Sequence, residues 1–249
     1  MTLRTMASEI ASVVNHLVRY PSGIGHRWAA APAADQGATA RPLVVLPGLA
    51  DNTSIFTQLK QSLETCGAGP VVSFSYGWLD DVRTAAARLS SQVEQLCAVT
   101  GTDGLDIVGH SLGGLIARYY VQRLGGHERV GTLVTIATPH GGTIAARLPS
   151  PLPVVRQLRP GSELLLELAE PAPECATEFL AFCGSGDELI LPSRNALVEH
   201  PDLQVRNVVV RGAGHMALAA HEEVTAEICR LFAPSEVDEE AEVPTQRSA

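Results

Sequence analysis

The chain predicts a mostly parallel α/β sheet covered by helices on both faces, and three observations carry that expectation. The first is six short apolar runs, at residues 43–46, 71–74, 105–108, 132–137, 179–183 and 205–210. Each is about strand length and most lack polar alternation, as strands buried on both faces do. The second is the helical patterning between them, at residues 53–66, 80–99, 112–124 and 217–232. Strand and helix alternating in this way build a parallel sheet. The third is "DIVGHSLGG" at residues 106–114, where the third run ends in a serine walled in by glycines and a helix starts at once.

Taken in order, residues 1–41 read as peripheral. Residues 8–19 carry Ile10, Val13, Val14, Leu17 and Val18 at helical spacing, and an Ala/Gly/Pro connector follows. The regular core opens at Pro42 and runs to residue 233. Within it, residues 141–175 break the rhythm, with six prolines around "VVRQL" and "SELLLELAE". That interval is too long for a minimal connection and unusually apolar for a surface loop, so it reads as a lid-like insertion. Residues 234–249 are acidic and free of aromatics, and are expected to be disordered. There is no internal repeat.

Bulk properties set the outer limits. The 249 residues suffice for one large domain. With 45% hydrophobic residues but only 4% aromatic, the core must be built of Leu, Val, Ala and Ile. A net charge of −9 argues against nucleic acid, because phosphate binding needs clustered cations. The five cysteines have no metal-type spacing and are odd in number, which leaves room for a single bridge such as Cys175–Cys183 but not for a disulfide framework. Residues 1–20 lack an apolar stretch of signal-peptide type, and no run is long enough to span a bilayer. On this sequence the chain reads as cytoplasmic.

Gly109-His110-Ser111-Leu112-Gly113 is G-x-S-x-G between a strand and a helix, the nucleophile elbow. The flanking glycines remove Cβ atoms that would collide across the tight turn, and Ser111 is left exposed at the positive end of the helix. The bland reading is a Gly-rich turn with an incidental serine. A hydroxyl needs a base and an orienting acid, in chain order Ser, Asp or Glu, His. Of eight histidines, His215 in "RGAGHMAL" directly follows the last strand, where a strand edge delivers its side chain to the same place. His16, His26, His127, His140, His200 and His221 suit solvated or structural roles better, and His110 suits packing beside the elbow. Asp187 in "CGSGDELILP" follows the fifth strand in the same way, with Glu188 as its local competitor and Asp202 as a worse-placed one. Oxyanion donors are expected at the backbone N–H of Leu112 and of Leu49, the latter in the turn "VVLPGLADN".

These residues together resemble the bacterial triacylglycerol lipases and related esterases of the α/β-hydrolase superfamily. The resemblance rests on "LPGL" (46–49), "DIVGHSLGGLIARYY" (106–120), "ATPHGGT" (137–143), "GSGDELI" (184–190) and "GAGHMAL" (212–218), and covers residues 42–232. It implies an α/β-hydrolase fold, Ser111, Asp187 and His215 as a catalytic triad, and Leu49 and Leu112 as oxyanion donors. It also implies no metal and no organic cofactor, and a small ester or lipid substrate, including one at a lipid–water interface. The sequence departs from the family at Pro47, where many relatives have histidine, and in lacking the secretion signal many of them carry. In lipases the segment after "TPHGGT" commonly supplies a lid or acyl-pocket wall, which makes Leu152 and Leu158 candidate substrate contacts. Leu164, Leu165 and Leu168 fit the buried face of a helix equally well. The expectation is a serine carboxylic ester hydrolase. A short-chain esterase, an acyltransferase or a thioesterase on the same triad, and a non-catalytic binding module on this scaffold, are the alternatives.

Overall fold

The computed structural model describes residues 41–49, 56–77, 80–150 and 152–233. The expected N-terminal helix, the connector and the acidic tail lie outside them. Six strands form one sheet: β1 (Leu43–Leu46), β2 (Val71–Ser73), β3 (Leu105–His110), β4 (Val130–Ile136), β5 (Glu178–Gly184) and β6 (Gln204–Val210). Their order is β2-β1-β3-β4-β5-β6, and every neighbouring pair is parallel. The parallel sheet is what the alternation of strand and helix predicted, and its α/β-hydrolase arrangement is what the resemblance implied.

The helices are α1 (Thr57–Thr65), α2 (Val82–Thr100), α3 (Leu112–Arg123), α4 (Pro153–Gln157), α5 (Glu163–Glu167), α6 (His215–Leu218) and α7 (Glu222–Phe232). Alternate strand residues point to opposite faces of the sheet, so each strand feeds two cores. Leu43, Val45, Val108, Val134, Leu180 and Phe182 pack with α1 and α7. Val44, Leu46, Ile107, Leu133, Phe179 and Ala181 pack with α2, α3 and the segment around α4 and α5. The unbroken apolar run of β1, and the full burial of β3 with Asp106 and His110 included, follow from this two-sided cover. The outermost strand, β6, differs: it is largely exposed on one side, with Val209 at 53%.

Local chemistry sets the boundaries. Asp81 caps α2 by accepting from the Thr84 N–H, and Gly101 ends it in a left-handed conformation (φ 70°). The pattern at residues 217–232, expected as one helix, is two. The chain breaks after α6, and His221 then caps α7, its ring accepting from the Glu223 N–H. Glu222 and Glu223 follow in the first turn, where negative charge suits the helix dipole.

After β1 the chain builds β2 on one side and then crosses to β3 on the other, so the connections of β1 and β3 leave in opposite directions. In open parallel sheets such a switch point opens a crevice at the carboxyl ends of the strands. Leu46, which leads into "PGL", and His110, which leads into Ser111, both end there.

Candidate active site

Ser111 sits between β3 and α3 with φ 51° and ψ −120°, a conformation that L-residues rarely adopt. Its N–H donates to the Ile136 carbonyl on β4 at 2.8 Å, which fixes the turn to the neighbouring strand. A Cβ on Gly109 would come within 2.5 Å of the Gly114 backbone, the collision across the turn expected from the motif. Gly113 has a different reason: its Cβ would meet the carbonyl oxygens of Leu46 and Pro47 at 2.4 Å. Gly114, outside the five-residue motif, is held glycine-sized by the Thr138 hydroxyl at 2.0 Å from such a Cβ. The elbow is thus wedged between the ends of β1 and β4.

Leu112 begins α3, so its N–H has no acceptor one helical turn back. Leu49 lies opposite, in the turn after β1, partly buried against the core. Tyr76, just after β2, donates its hydroxyl to the Pro47 carbonyl at 3.0 Å and holds that turn. No motif singles out Tyr76.

Asp187 and His215 come together from the ends of β5 and β6. His215 Nδ1 and Asp187 Oδ2 are 2.9 Å apart, with the two side chains 3% and 0% exposed. The other carboxylate oxygen, Oδ1, accepts from the N–H groups of Leu189 (2.9 Å) and Ile190 (2.8 Å). A carboxylate so held is fixed in position, and the Nδ1–H of His215 donates to it. That leaves Nε2 for another partner. Glu188, the local competitor, has its Oε2 facing the His215 backbone N–H at 3.4 Å. Asp202 is engaged elsewhere, accepting from the Ala172 N–H at 2.8 Å. His110 packs against His215, with ring centroids 5.1 Å apart and Nε2 3.4 Å from the His215 carbonyl.

The remaining described histidines have structural surroundings: His127 faces the Val121 carbonyl, His200 the Glu170 carbonyl, and His221 caps α7. His140 is buried in a polar knot. Its Nε2 lies 2.9 Å from the Thr135 hydroxyl and its Nδ1 3.3 Å from Arg118 Nη1. Burial, and then the Arg118 charge, hold its pKa well below the usual histidine range. Arg118 also donates to Gln122 Oε1 at 2.6 Å and to the Leu168 carbonyl at 3.1 Å. Burial lowers its own pKa to about 10.

The lid-like interval is tied to the body at many points. Gln157 accepts from the Val82 N–H, Arg83 pairs with Glu167 at 2.6 Å, and Arg123 donates to the carbonyls of Glu170 and Pro171. Gly142, at φ 77°, lets the chain pass the Leu158 carbonyl and the Leu165 side chain, where a Cβ would come within 2.9 Å of both. Val154, Leu164 and Leu168 are each 1% exposed and belong to the core. Leu152 and Leu158 are partly buried against the same cluster, whereas Leu148 and Leu166 are exposed.

Two further features escaped the sequence reading. Ala137, at the end of β4, has φ 49° and is the other non-glycine residue with positive φ among those described. Thr143 accepts from the Leu191 N–H (3.0 Å) and donates to the Leu189 carbonyl (2.7 Å), bracing the loop that carries Asp187. Its place at the end of "PHGGT" was the only signal. All five cysteines are free, so the Cys175–Cys183 bridge is not formed. Among the described residues no cluster of three His, Cys, Asp or Glu is placed to hold a metal ion, and no helix is long and apolar enough to cross a membrane.

Residues 42–167 match the family model for palmitoyl protein thioesterase. A triacylglycerol lipase of Burkholderia plantarii is 30% identical over 158 residues, covering 57% of this chain and 43% of the relative. A second, from Pseudarthrobacter phenanthrenivorans, is 30% identical over 115 residues, covering 43% of this chain and 35% of the relative. The chain therefore spans less than half the length of these two curated relatives. Among solved structures, Aspergillus fumigatus lipase B superposes with a TM-score of 0.70 at 15% identity, covering 83% of this chain and 55% of that one. The mature form of Bacillus licheniformis lipase BlEst2 does so with 0.69 at 14% identity, covering 83% and 98%. At such identities the superpositions speak for the fold alone. The family model spans more than half of the chain, and the protein belongs to the palmitoyl protein thioesterase family, among the lipases and esterases of the α/β-hydrolase fold.

Proposed function

We propose that this chain is a serine carboxylic ester hydrolase of lipase type, acting through an acyl-serine intermediate. The observation that carries the reading is the buried Asp187–His215 pair at 2.9 Å, delivered to the same sheet edge as the strained elbow of Ser111. In this reading the Ser111 hydroxyl attacks the ester carbonyl while His215 Nε2 takes its proton. Asp187 holds the imidazole in the Nδ1–H tautomer and stabilises the imidazolium that forms. The N–H groups of Leu112 and Leu49 receive the developing oxyanion, and each such donor is worth roughly 3–4 kcal/mol of barrier. The alcohol leaves with the proton from His215, and water then repeats the sequence on the acyl-serine ester.

A thioester substrate is the second reading, favoured by the thioesterase family model. The same steps apply, with a thiolate as a better leaving group and the same demand on the oxyanion donors. The test is a parallel series of p-nitrophenyl esters and acyl thioesters of equal chain length, run on the parent chain and on Ser111→Ala. Turnover of the esters at least tenfold above the thioesters, and loss of both in Ser111→Ala, supports the lipase-type reading. The reverse preference makes the chain a thioesterase. Full activity in Ser111→Ala removes the site assignment altogether.

A further inference from the structure

Arg118 is 4% exposed, and no carboxylate stands against it among the described residues. Its partners are an amide oxygen, a backbone carbonyl and a histidine nitrogen, all neutral groups that use three of its five N–H donors. A buried charge is ordinarily paired, because neutral acceptors replace only part of its lost hydration. Arg118 also lines a cavity of about 290 Å³ between the α5 region and the short 3-10 helix at Ser193–Ala196. A second arginine, Arg194, lines the same cavity and has no ion pair among the described residues. The remaining walls include Leu165, Leu166, Ala169 and Leu197.

Two arginines without an ion pair, one of them buried, outnumber the exposed Glu199 in the lining, and with the apolar side chains there they define an occupant with an anionic head and a short hydrocarbon tail. Guanidinium forks match a carboxylate in two-point fashion, which favours that head group. The volume stands at the small end of the roughly 300–1,000 Å³ usual for ligand pockets, so the tail is short. We propose that this cavity binds a short aliphatic carboxylate, its head group between Arg118 and Arg194 and its chain on Leu165, Leu166 and Leu197. Such an acid is what ester hydrolysis releases; the source of the acid rests on the function proposed above, and the binding does not.

The test uses the full chain carrying Ser111→Ala, so that no turnover interferes. Sodium acetate, butyrate, hexanoate and octanoate, inorganic phosphate and hexanol are titrated by calorimetry. Hexanoate should bind saturably, with up to about fourfold gain per methylene over acetate until the cavity is full, and hexanol should not. Arg194→Gln, an exposed change that leaves the fold intact, should weaken hexanoate at least fivefold. Glu199, exposed and also lining the cavity, repels an anion, so Glu199→Gln should tighten it. Leu166→Glu, at another exposed position, should abolish binding. Phosphate binding as tightly as hexanoate would make this a plain anion site and overturn the aliphatic class. Hexanoate binding that ignores Arg194→Gln, Glu199→Gln and Leu166→Glu alike would place the acid elsewhere, and absence of saturable binding would end the proposal. A chain that proves inactive on every ester would still bind hexanoate if the cavity is what we describe.

Discussion

Two regions that follow strand ends use hydrogen bonds for different purposes. Close behind the ends of β3, β5 and β6 the chain places the three side chains of the proposed triad, Ser111, Asp187 and His215. There the bonds fix the atoms of the proposed triad. Both oxygens of Asp187 are occupied, and the Ser111 N–H is tied to β4. The interval after β4 is long and anchors itself to α2 and α3 by polar contacts around a leucine core. Here the bonds fix backbone, and the side chains facing outward are left to vary. A precise site and an adaptable wall thus rest on one sheet, and each can be perturbed separately.

The sharpest way to break the first region is through its acid. Asp187→Asn removes the acceptor that sets the His215 tautomer, and kcat on a p-nitrophenyl ester should fall by about 10⁴-fold, the cost of the wrong tautomer in a Ser-His-Asp triad. Glu188→Gln, whose carboxylate faces the His215 backbone N–H, should cost less than tenfold. The opposite ranking would move the acid by one residue and detach the 2.9 Å contact from catalysis.

The second region breaks through its buried leucines. Leu164→Ala removes a side chain that is 1% exposed and should cost about 2–5 kcal/mol of stability. Thermal unfolding measures this, and esters of every chain length should be affected alike. A change confined to long-chain esters, with an unaltered melting temperature, would mean that Leu164 faces substrate and that the cap is not a core element.

Legibility in the sequence follows the same division. The elbow was readable because steric demands there are local: a positive φ at Ser111 and close backbone approach at Gly109 leave few residue choices. Asp187 and His215 were readable because each directly follows an apolar run, and strand ends in a parallel sheet share one edge. The polar knot of Arg118, His140 and Thr135 was not readable, since it joins residues on α3, on β4 and after β4 through side chains whose spacing follows no period. The leucines of the cap were ambiguous for a related reason. Helical spacing placed Leu164 and Leu168 on one face, but only the packing of α5 against the core decides what that face meets. The split of the last helix was missed because a histidine served as its cap, where Ser, Thr, Asp or Asn is the usual signal.

Acid should strain the joint between the two regions. Burial beside Arg118 keeps His140 neutral in the fold, with its pKa well below the unfolded value near 6.5. Its contribution is therefore present above pH 6.5. Below that the unfolded chain takes up a proton that the folded one refuses, and stability falls by at most about 1.4 kcal/mol per pH unit from this residue. Denaturant unfolding between pH 7.5 and 5 measures the slope. His140→Gln, which can still hydrogen-bond to Thr135 and Arg118, should flatten it. An unchanged slope in that variant would assign the acid sensitivity to other groups.

The smallest expected effect is the one that decides whether the cap touches substrate at all. Leu158 is partly buried against the core, unlike Leu164, and its carbonyl lies over Gly142 at the start of the cap. If its side chain lines an acyl path, each substrate methylene in contact gains at most about 0.8 kcal/mol, roughly fourfold in kcat/KM. Leu158→Ser should then leave acetate and butyrate esters within twofold of the parent and reduce octanoate and decanoate esters by about four- to fifteenfold. Leu152→Ser, on the same half-buried stretch, should behave likewise. The melting temperature separates packing from recognition, because a partly exposed leucine loses less on truncation than a buried one. A uniform loss on all esters together with a lowered melting temperature would place Leu158 with Leu164 in the core. The wall of the acyl path would then have to come from outside α4 and α5.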